Sequence, residues 1–249
     1  MKVYAVDVGD IKQNAIEGMM KNIKDMNILI SFYSKSLCTN NFEVYEDISK
    51  NILIDSGAFT FQKGNTDKEK LQQYMNDYLK FVKKQRNNDI INGFFEMDID
   101  GVIGYDNVLK YRNKLFRLTD KIIPVWHKSL GIDEFKLMCE EYDYISVSCV
   151  NNRDIKPENY KNFVKYAHNH NTKIHGLGMT QKKILNKVPF DTVDSSSWQK
   201  IVRFGRYNGK KLDSNYIKKN RRKITQLEIL DFLQFQKHYY NRWKNYHKD

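Results

Sequence analysis

Carboxylates, imidazoles and a hydroxyl recur at the ends of short apolar runs in this sequence. They are Asp55 in IDSGAFTF (54–61), Asp98 in FFEMDIDG (94–101), His127 after PVW, Ser148 in DYISVSC (143–149), His175 in IHGLGMT (174–180), and Asp191 or Asp194 in FDTVDSSSW (190–198). An aspartate so placed can serve as a nucleophile, a general acid or base, or an acceptor for the N–H groups of a ligand. The Ser-Gly-Ala that follows Asp55 lets the backbone turn sharply and approach a planar ligand, with Phe59 and Phe61 as a stacking face. An aspartate that only caps loop amides accounts for the same residues. Strand alternation puts Glu96, Asp98 and Asp100 on one side, where three carboxylates repel unless a metal, a proton or a cationic ligand intervenes. Accepting hydrogen bonds from a base is one use of such a face, and a divalent-metal site is another.

The remaining candidates also carry two readings each. His127 and His175 are either satisfied structural histidines or site residues. Gly176 and Gly178 suggest close approach of something flat, yet no GxGxxG or GxxxxGK[ST] phosphate loop occurs in the chain. Asp191 and Asp194 are three apart, so on a regular strand they face opposite sides, and only one is expected to point inward unless the strand ends between them. Ser195, Ser196 and Ser197 could bind phosphate, and Trp198 could stack on a ligand or close the core.

These residues need elements to hold them. Eight apolar runs read as strands: 2–8, 27–33, 51–57, 93–99, 121–127, 143–149, 173–179 and 190–196. Amphipathic helices are expected at about 11–24, 68–86, 106–118, 132–141, 157–170 and 180–187, while the link between the second and third strands has no clear pattern. Eight strands alternating with helices match a (β/α)8 barrel, and 249 residues is a usual length for one. A doubly wound open sheet would share the alternation. A barrel alone gathers all eight strand ends at one mouth, so the recurring polar strand ends favour it. The expected organisation is a catalytic barrel over residues 1–199 and a basic extension over 200–249 packed on it.

Composition narrows the classes further. No run of apolar residues is long enough to span a membrane, and MKVYAVDVGD resembles neither a signal nor a transit peptide, so the cytoplasm is expected. Cys38, Cys139 and Cys149 are odd in number and far apart, which suggests free thiols and no zinc cluster. The net charge of +12 is concentrated at the end of the chain, where residues 200–249 hold 14 Lys and Arg against 4 Asp and Glu. Such a skew points to a polyanion, most often nucleic acid. The candidate contacts are Arg203, Arg206, Lys210, Lys211, Lys218, Lys219, Arg221 and Arg222. KIVRFGRYNGKKL (200–212) reads as a hairpin with an Asn-Gly turn. TQLE (225–228) reads as a capping box starting a last helix, with Leu227, Leu230, Leu233, Tyr240 and Trp243 on roughly one face.

Taken in order, four segments resemble motifs of the tRNA-guanine transglycosylase superfamily, and its phage DNA-modifying branch more closely than the bacterial enzymes. IDSGAF resembles an Asp-Ser-Gly-Gly-Phe motif, the Met97-Asp98 pair a base-recognising Leu-Asp, IHGLGMT a Met-Gly-Val-Gly-Thr-Pro strand, and FDTV a Phe-Asp-Cys-Val segment. The resemblance spans about Asp55 to Trp198. It implies exchange of guanine in nucleic acid, DNA before tRNA, for a 7-deazaguanine base, with retention at the sugar and no cofactor. By position Asp191 would be the nucleophile, Asp55 would manage the proton on departing and incoming base, and Asp98 would read the base edge. The chain departs from the family in lacking its cluster of three cysteines and a histidine, and in having Asp-Ser-Ser-Ser where the family has Pro-Thr-Arg. Asp194 therefore stands as an alternative nucleophile, three residues from the first.

Overall fold

The computed structural model describes residues 1–6, 25–33, 42–62, 67–148, 155–179, 181–207 and 210–246, apart from the side chains of 43, 44, 197 and 203. The expected helix at 11–24, Cys38, Cys149, the Asn-Gly turn and the Arg203 side chain lie outside the described residues. The barrel strands are β1 (Lys2–Val6), β2 (Met26–Ser31), β3 (Ser49–Asp55), β4 (Ile91–Phe95), β5 (Ile122–Ile123), β6 (Val125–Trp126), β7 (Tyr144–Ser148), β8 (Lys173–Leu177) and β9 (Thr192–Ser195). Every pairing among them is parallel, in the order β5-β4-β3-β2-β1-β9-β8-β7-β6.

The two ends of that order are consecutive in the chain. β5 and β6 are halves of one strand, interrupted at Pro124, which has no N–H to give to a ladder. β5 pairs with β4 and β6 with β7, while the Pro124 carbonyl still accepts the Ser146 N–H at 2.8 Å. The sheet thus comes round on itself through eight chain segments, and the architecture is a (β/α)8 barrel.

Helices α1 (Phe42–Ile48), α2 (Lys68–Gln85), α3 (Asp100–Ile103), α4 (Tyr105–Phe116), α5 (Gly131–Glu141), α6 (Pro157–Asn169) and α7 (Lys182–Leu185) alternate with the strands. α1 lies in the link whose sequence has no clear periodicity. Helix starts follow local chemistry: Asp67 accepts the Glu69 and Lys70 N–H groups at the head of α2, and Pro157 opens α6 where its missing N–H costs nothing.

Alternation sorts the strand side chains into two cores. Val3, Ala5, Ile28, Ile52, Ile54, Phe94, Ile145, Val147, Ile174 and Val193 face the helices, whereas Tyr4, Leu29, Leu53, Phe95, Ile123 and Val125 fill the barrel. The same parity aims Ser31, Asp55, His127, Ser148 and Asp194 inward at the C-terminal ends. At the opposite end Asn51 donates to Asn27 Oδ1 at 2.6 Å, pairing two buried amides at the floor.

After β9 the chain forms a short 3₁₀ turn (Ser197–Gln199), α8 (Lys200–Phe204), the β10 (Arg206–Tyr207) and β11 (Lys210–Lys211) hairpin, α9 (Ser214–Lys219) and α10 (Arg221–Trp243). Only part of the expected 200–212 hairpin is therefore extended; its first five residues are helical. α10 starts four residues before the expected capping box. Thr225 is buried inside it, and Glu228 accepts the Ile201 N–H at 2.6 Å, capping α8 instead of its own helix. Its buried face is Ile224, Ile229, Phe232 and Tyr239, while Leu227, Leu230 and Tyr240 of the expected apolar face are exposed. α10 packs along β1 and donates Ile229, Phe232 and Tyr239 to the main core, so it belongs to the helical layer of the barrel. No helix among the described residues is long and apolar enough to cross a membrane.

Candidate active site at the barrel mouth

Three carboxylates meet where the strands end. Asp55 is the last residue of β3, Asp194 lies one residue before the end of β9, and Asp98 sits shortly after β4 at the centre of a tight turn in which the Ile99 N–H donates to the Met97 carbonyl. Asp55 Oδ2 accepts the Gly57 N–H at 3.1 Å. Gly57 has φ 73°, and a Cβ there would come within 2.6 Å of Tyr33 and Tyr74, so the turn after Asp55 requires glycine. Burial raises the Asp55 pKa to about 7, and the charges of Asp98 and Asp194 push it the same way against the Gly57 and Ser31 hydrogen bonds. One carboxyl of the group therefore holds a proton near neutral pH beside two others.

Asp194 stands on a buried polar chain. Its Oδ1 accepts the Gly178 N–H at 2.5 Å and lies 3.1 Å from His175 Nε2. His175 Nδ1 is 2.7 Å from Thr192 Oγ1, which is hydrogen-bonded in turn to the Tyr144 hydroxyl. One arrangement satisfies every group: Tyr144 donates to Thr192, Thr192 to Nδ1, and Nε2–H to Asp194. Gly178 reaches Asp194 through φ 71°, a second position where glycine is required. His175 is fully buried, flanked by the edges of Phe95 and Tyr4, so it orients Asp194 from below and does not face the mouth. This corrects its assignment as a substrate contact.

Asp98 and His127 form the third corner. Asp98 Oδ2 is 3.3 Å from His127 Nε2, close enough for attraction but misaligned for a hydrogen bond, and Nε2 is a buried polar atom without a hydrogen-bond partner among the described residues. Burial raises the Asp98 pKa against the opposing pull of His127. Burial alone would lower the His127 pKa, but Asp98, Asp100 and Glu96 more than offset it, and the net direction is upward. Gln62 ties the loop after β3 to this corner by donating to the Asp98 carbonyl at 2.7 Å.

Glu96 does not share the face of Asp98 and Asp100, contrary to the alternation argument. β4 ends at Phe95, and Glu96 points outward to a bidentate pair with Arg112 of α4, at 2.7 and 3.0 Å. Its Oε1 also accepts the Val125 N–H at 2.6 Å, beside the break at Pro124. Both partners are almost fully buried. Asp100 begins α3. The acidic trio, for which a divalent-metal site is the alternative to base recognition, is therefore dispersed among three different roles.

Asp191 lies at the other end of the barrel. It precedes β9, its N–H donates to the Ile174 carbonyl, and its Oδ2 accepts the Ile174 N–H at 2.8 Å and contacts His168 Nε2 of α6 at 2.8 Å. The expectation that Asp191 sits in the mouth is corrected by that register: Lys2 pairs with Thr192 and Tyr4 with Asp194, so Asp191 is at the level of the strand starts. Gly176 is also turned away, because a Cβ there would meet Val193 and Met179 behind the sheet. Trp198 closes the core, with Nε1 donating to the Val6 carbonyl at 2.7 Å and its ring against Phe232. Phe61 packs on Tyr74 and Tyr33, whereas Phe59 is 47% exposed in the turn after Asp55. Ser148 is buried at the inward end of β7.

Ser31, Thr192 and Tyr144 went unmarked in the sequence. Ser31 ends an apolar run like the marked residues, so the same signal could have found it. Thr192 and Tyr144 sit inside runs and become partners only through pairing across β7, β8 and β9. Of the basic residues, Arg206, Lys210, Lys211, Lys218, Lys219, Arg221 and Arg222 are all exposed, on the hairpin, α9 and the first turn of α10. That segment leaves β9 at the mouth, and α10 then descends to the floor, where Gln236 bonds the backbone of Asp25 and Asn27. The chain matches no protein-family model and no curated protein.

Proposed function

We propose that this barrel exchanges guanine in nucleic acid, DNA before tRNA, for a 7-deazaguanine base, with Asp194 as the nucleophile. The observation that carries the reading is the pairing at the mouth of Asp55, whose pKa of about 7 makes it a proton carrier, with Asp194, a carboxylate aimed inward by Gly178 and His175. Two carboxyls in unlike environments suit one to acid–base work and the other to covalent work. The motif resemblance supplies the substrate class.

In the first displacement an Asp194 oxygen attacks C1′ from the face opposite the base. The C1′–N9 bond breaks, its electron pair stays on the departing guanine, and Asp55 delivers the proton that neutralises it. In the second, Asp55 takes the N9 proton of the incoming base, the N9 lone pair bonds C1′, and the C1′–O bond returns its electrons to Asp194. Two inversions give retention, and each step passes through an oxocarbenium-like transition state, as in retaining glycosidases. Asp98 and His127 offer an acceptor and a buried imidazole nitrogen to the polar edge of the base. The target base leaves its stack to reach the mouth, at a cost of a few kcal/mol in a duplex.

The test traps the intermediate. Purified protein is incubated with radiolabelled guanine and, separately, duplex DNA, single-stranded DNA and bulk tRNA, then denatured and assayed for label in nucleic acid and for a covalent protein–nucleic acid adduct. Label in DNA and an adduct lost in Asp194→Ala but kept in Asp191→Ala are expected. Label only in tRNA changes the substrate. An adduct that survives Asp194→Ala and disappears in Asp191→Ala overturns the nucleophile.

A further inference from the structure

The segment that carries the positive charge also carries exposed aromatic rings. Between 204 and 223 there are eight Lys and Arg and a single carboxylate, Asp213, whose side chain is committed to capping α9 through the Tyr216 N–H at 2.8 Å. Among the described residues none of these cations is in an ion pair. Interleaved with them, Phe204 is 63% exposed, Tyr207 51% and Tyr216 57%. Three such rings within thirteen residues of a basic segment exceed the scattered single exposures of an ordinary surface.

The patch is built. Glu228 of α10 holds the start of α8 by accepting the Ile201 N–H, and the Leu212 N–H donates to the Gly205 carbonyl at 2.8 Å, closing the hairpin base. Gly205 turns out of α8 with φ 60°, and a Cβ placed there would lie 3.6 Å from Ile217 Cδ1 of α9, so the two segments run side by side. α8, the hairpin and α9 are thus tied together beside the C-terminal end of β9, next to the mouth.

We infer that Phe204, Tyr207 and Tyr216, with Arg206, Lys210, Lys211, Lys218 and Lys219, form a platform for unpaired nucleotides. Phosphates meet the cations, and exposed bases stack on the rings. Rings are the discriminating feature. Cations alone bind any polyanion and favour the higher charge density of a duplex, whereas stacking on a side chain requires a base with a free face. The inference deepens the proposed function, taking from it only that nucleic acid comes to the mouth: the strand flanking the target base is held open, which lowers the cost of bringing that base out of its stack.

Equilibrium binding of the full chain tests this. The probes are a labelled unpaired oligonucleotide of about 15 nucleotides, made as DNA and as RNA, the same DNA as a duplex, and phosphatidylserine vesicles. Unpaired strands are expected to bind about tenfold more tightly than the duplex. Phe204→Ala, Tyr207→Ala and Tyr216→Ala should each weaken unpaired binding by about tenfold and leave duplex binding unchanged, while Tyr207→Phe and Tyr216→Phe retain it. Lys218→Ala with Lys219→Ala should weaken both and flatten the salt dependence. The tighter of the DNA and RNA arms identifies the source of the strand. Equal affinity for duplex and strand, with the alanine variants indifferent, overturns the inference, as does retention on vesicles without oligonucleotide binding. The three rings are exposed, so unfolding midpoints should match the parent and separate lost binding from lost fold. Because binding needs no exchange, a protein that binds strands this way but never incorporates guanine removes the proposed reaction and leaves the platform standing.

Discussion

Asp191 and Asp194 are three residues apart, both contact a histidine, and both accept a backbone N–H from β8 or the turn after it, yet they serve opposite ends of the barrel. Asp191, at the floor, joins the Ile174 N–H to His168 on the outer layer and so pins α6 against the sheet. Asp194, at the mouth, turns inward toward Asp55, with the Gly178 N–H and His175 behind it. The floor aspartate is paired with an imidazole and a backbone N–H; the mouth aspartate shares a low-dielectric space with two other carboxyls. Pairing at the floor therefore supports the fold, and crowding at the mouth opposes it. Carboxylates that strain the native state are expected where chemistry needs them.

The largest effect that would sharpen this contrast is on turnover. Asp194→Asn should lower guanine exchange by a factor of about 1,000 or more, the scale expected on losing a covalent nucleophile, while the fold survives in thermal unfolding. Exchange within a few-fold of the parent would break the comparison.

Next comes Asp55, where the effect should appear in stability as well as activity. Its pKa is raised from 3.8 to about 7 in the native protein, so the folded state binds the extra proton between those values. Stability from this group is full at low pH and declines as pH rises from about 4 to about 7, by up to about 4 kcal/mol in all. Asp55→Asn should consequently raise the unfolding free energy above pH 7 and flatten its decline with pH, while abolishing exchange. Denaturant unfolding at pH 5 and pH 8 decides this, and a variant destabilised at pH 8 would contradict it.

Asp191→Asn should do the reverse of Asp194→Asn. It weakens the hydrogen bonds to the Ile174 N–H and His168 and should cost about 1–3 kcal/mol of stability, with exchange retained in the protein that stays folded. A full loss of exchange at unchanged stability would return Asp191 to the chemistry. The smallest change is expected for His168→Gln, about 1 kcal/mol or less, since Asp191 keeps the Ile174 N–H and the site is partly exposed to water.

Much of the fold was legible because local pattern carries it. Eight apolar runs, each with its core near the expected place, became the eight barrel segments, and α2, α4, α5 and α6 lie within a few residues of their periodic stretches. The misreadings share a cause. TQLE has capping-box letters, but Asn220 begins the helix earlier and Thr225 is drawn into the core. Leu227, Leu230 and Tyr240 are apolar, yet the face that β1 and Trp198 meet is that of Ile229 and Phe232. Glu96 follows the strand parity of Phe94 and leaves the acidic trio for Arg112, a partner sixteen residues away. In each case a tertiary contact chose among options that local pattern left open.

The sequence by itself determined the number of strands, their order, their polar endings and the basic close of the chain, because two-residue and helical periodicities and charge are local properties. Which carboxylates share the mouth was decided only in three dimensions. The pairing of β9 with β1 and β8 sets where the strand begins, and a three-residue shift along it carries a side chain from one rim of the barrel to the other and from its outside to its inside.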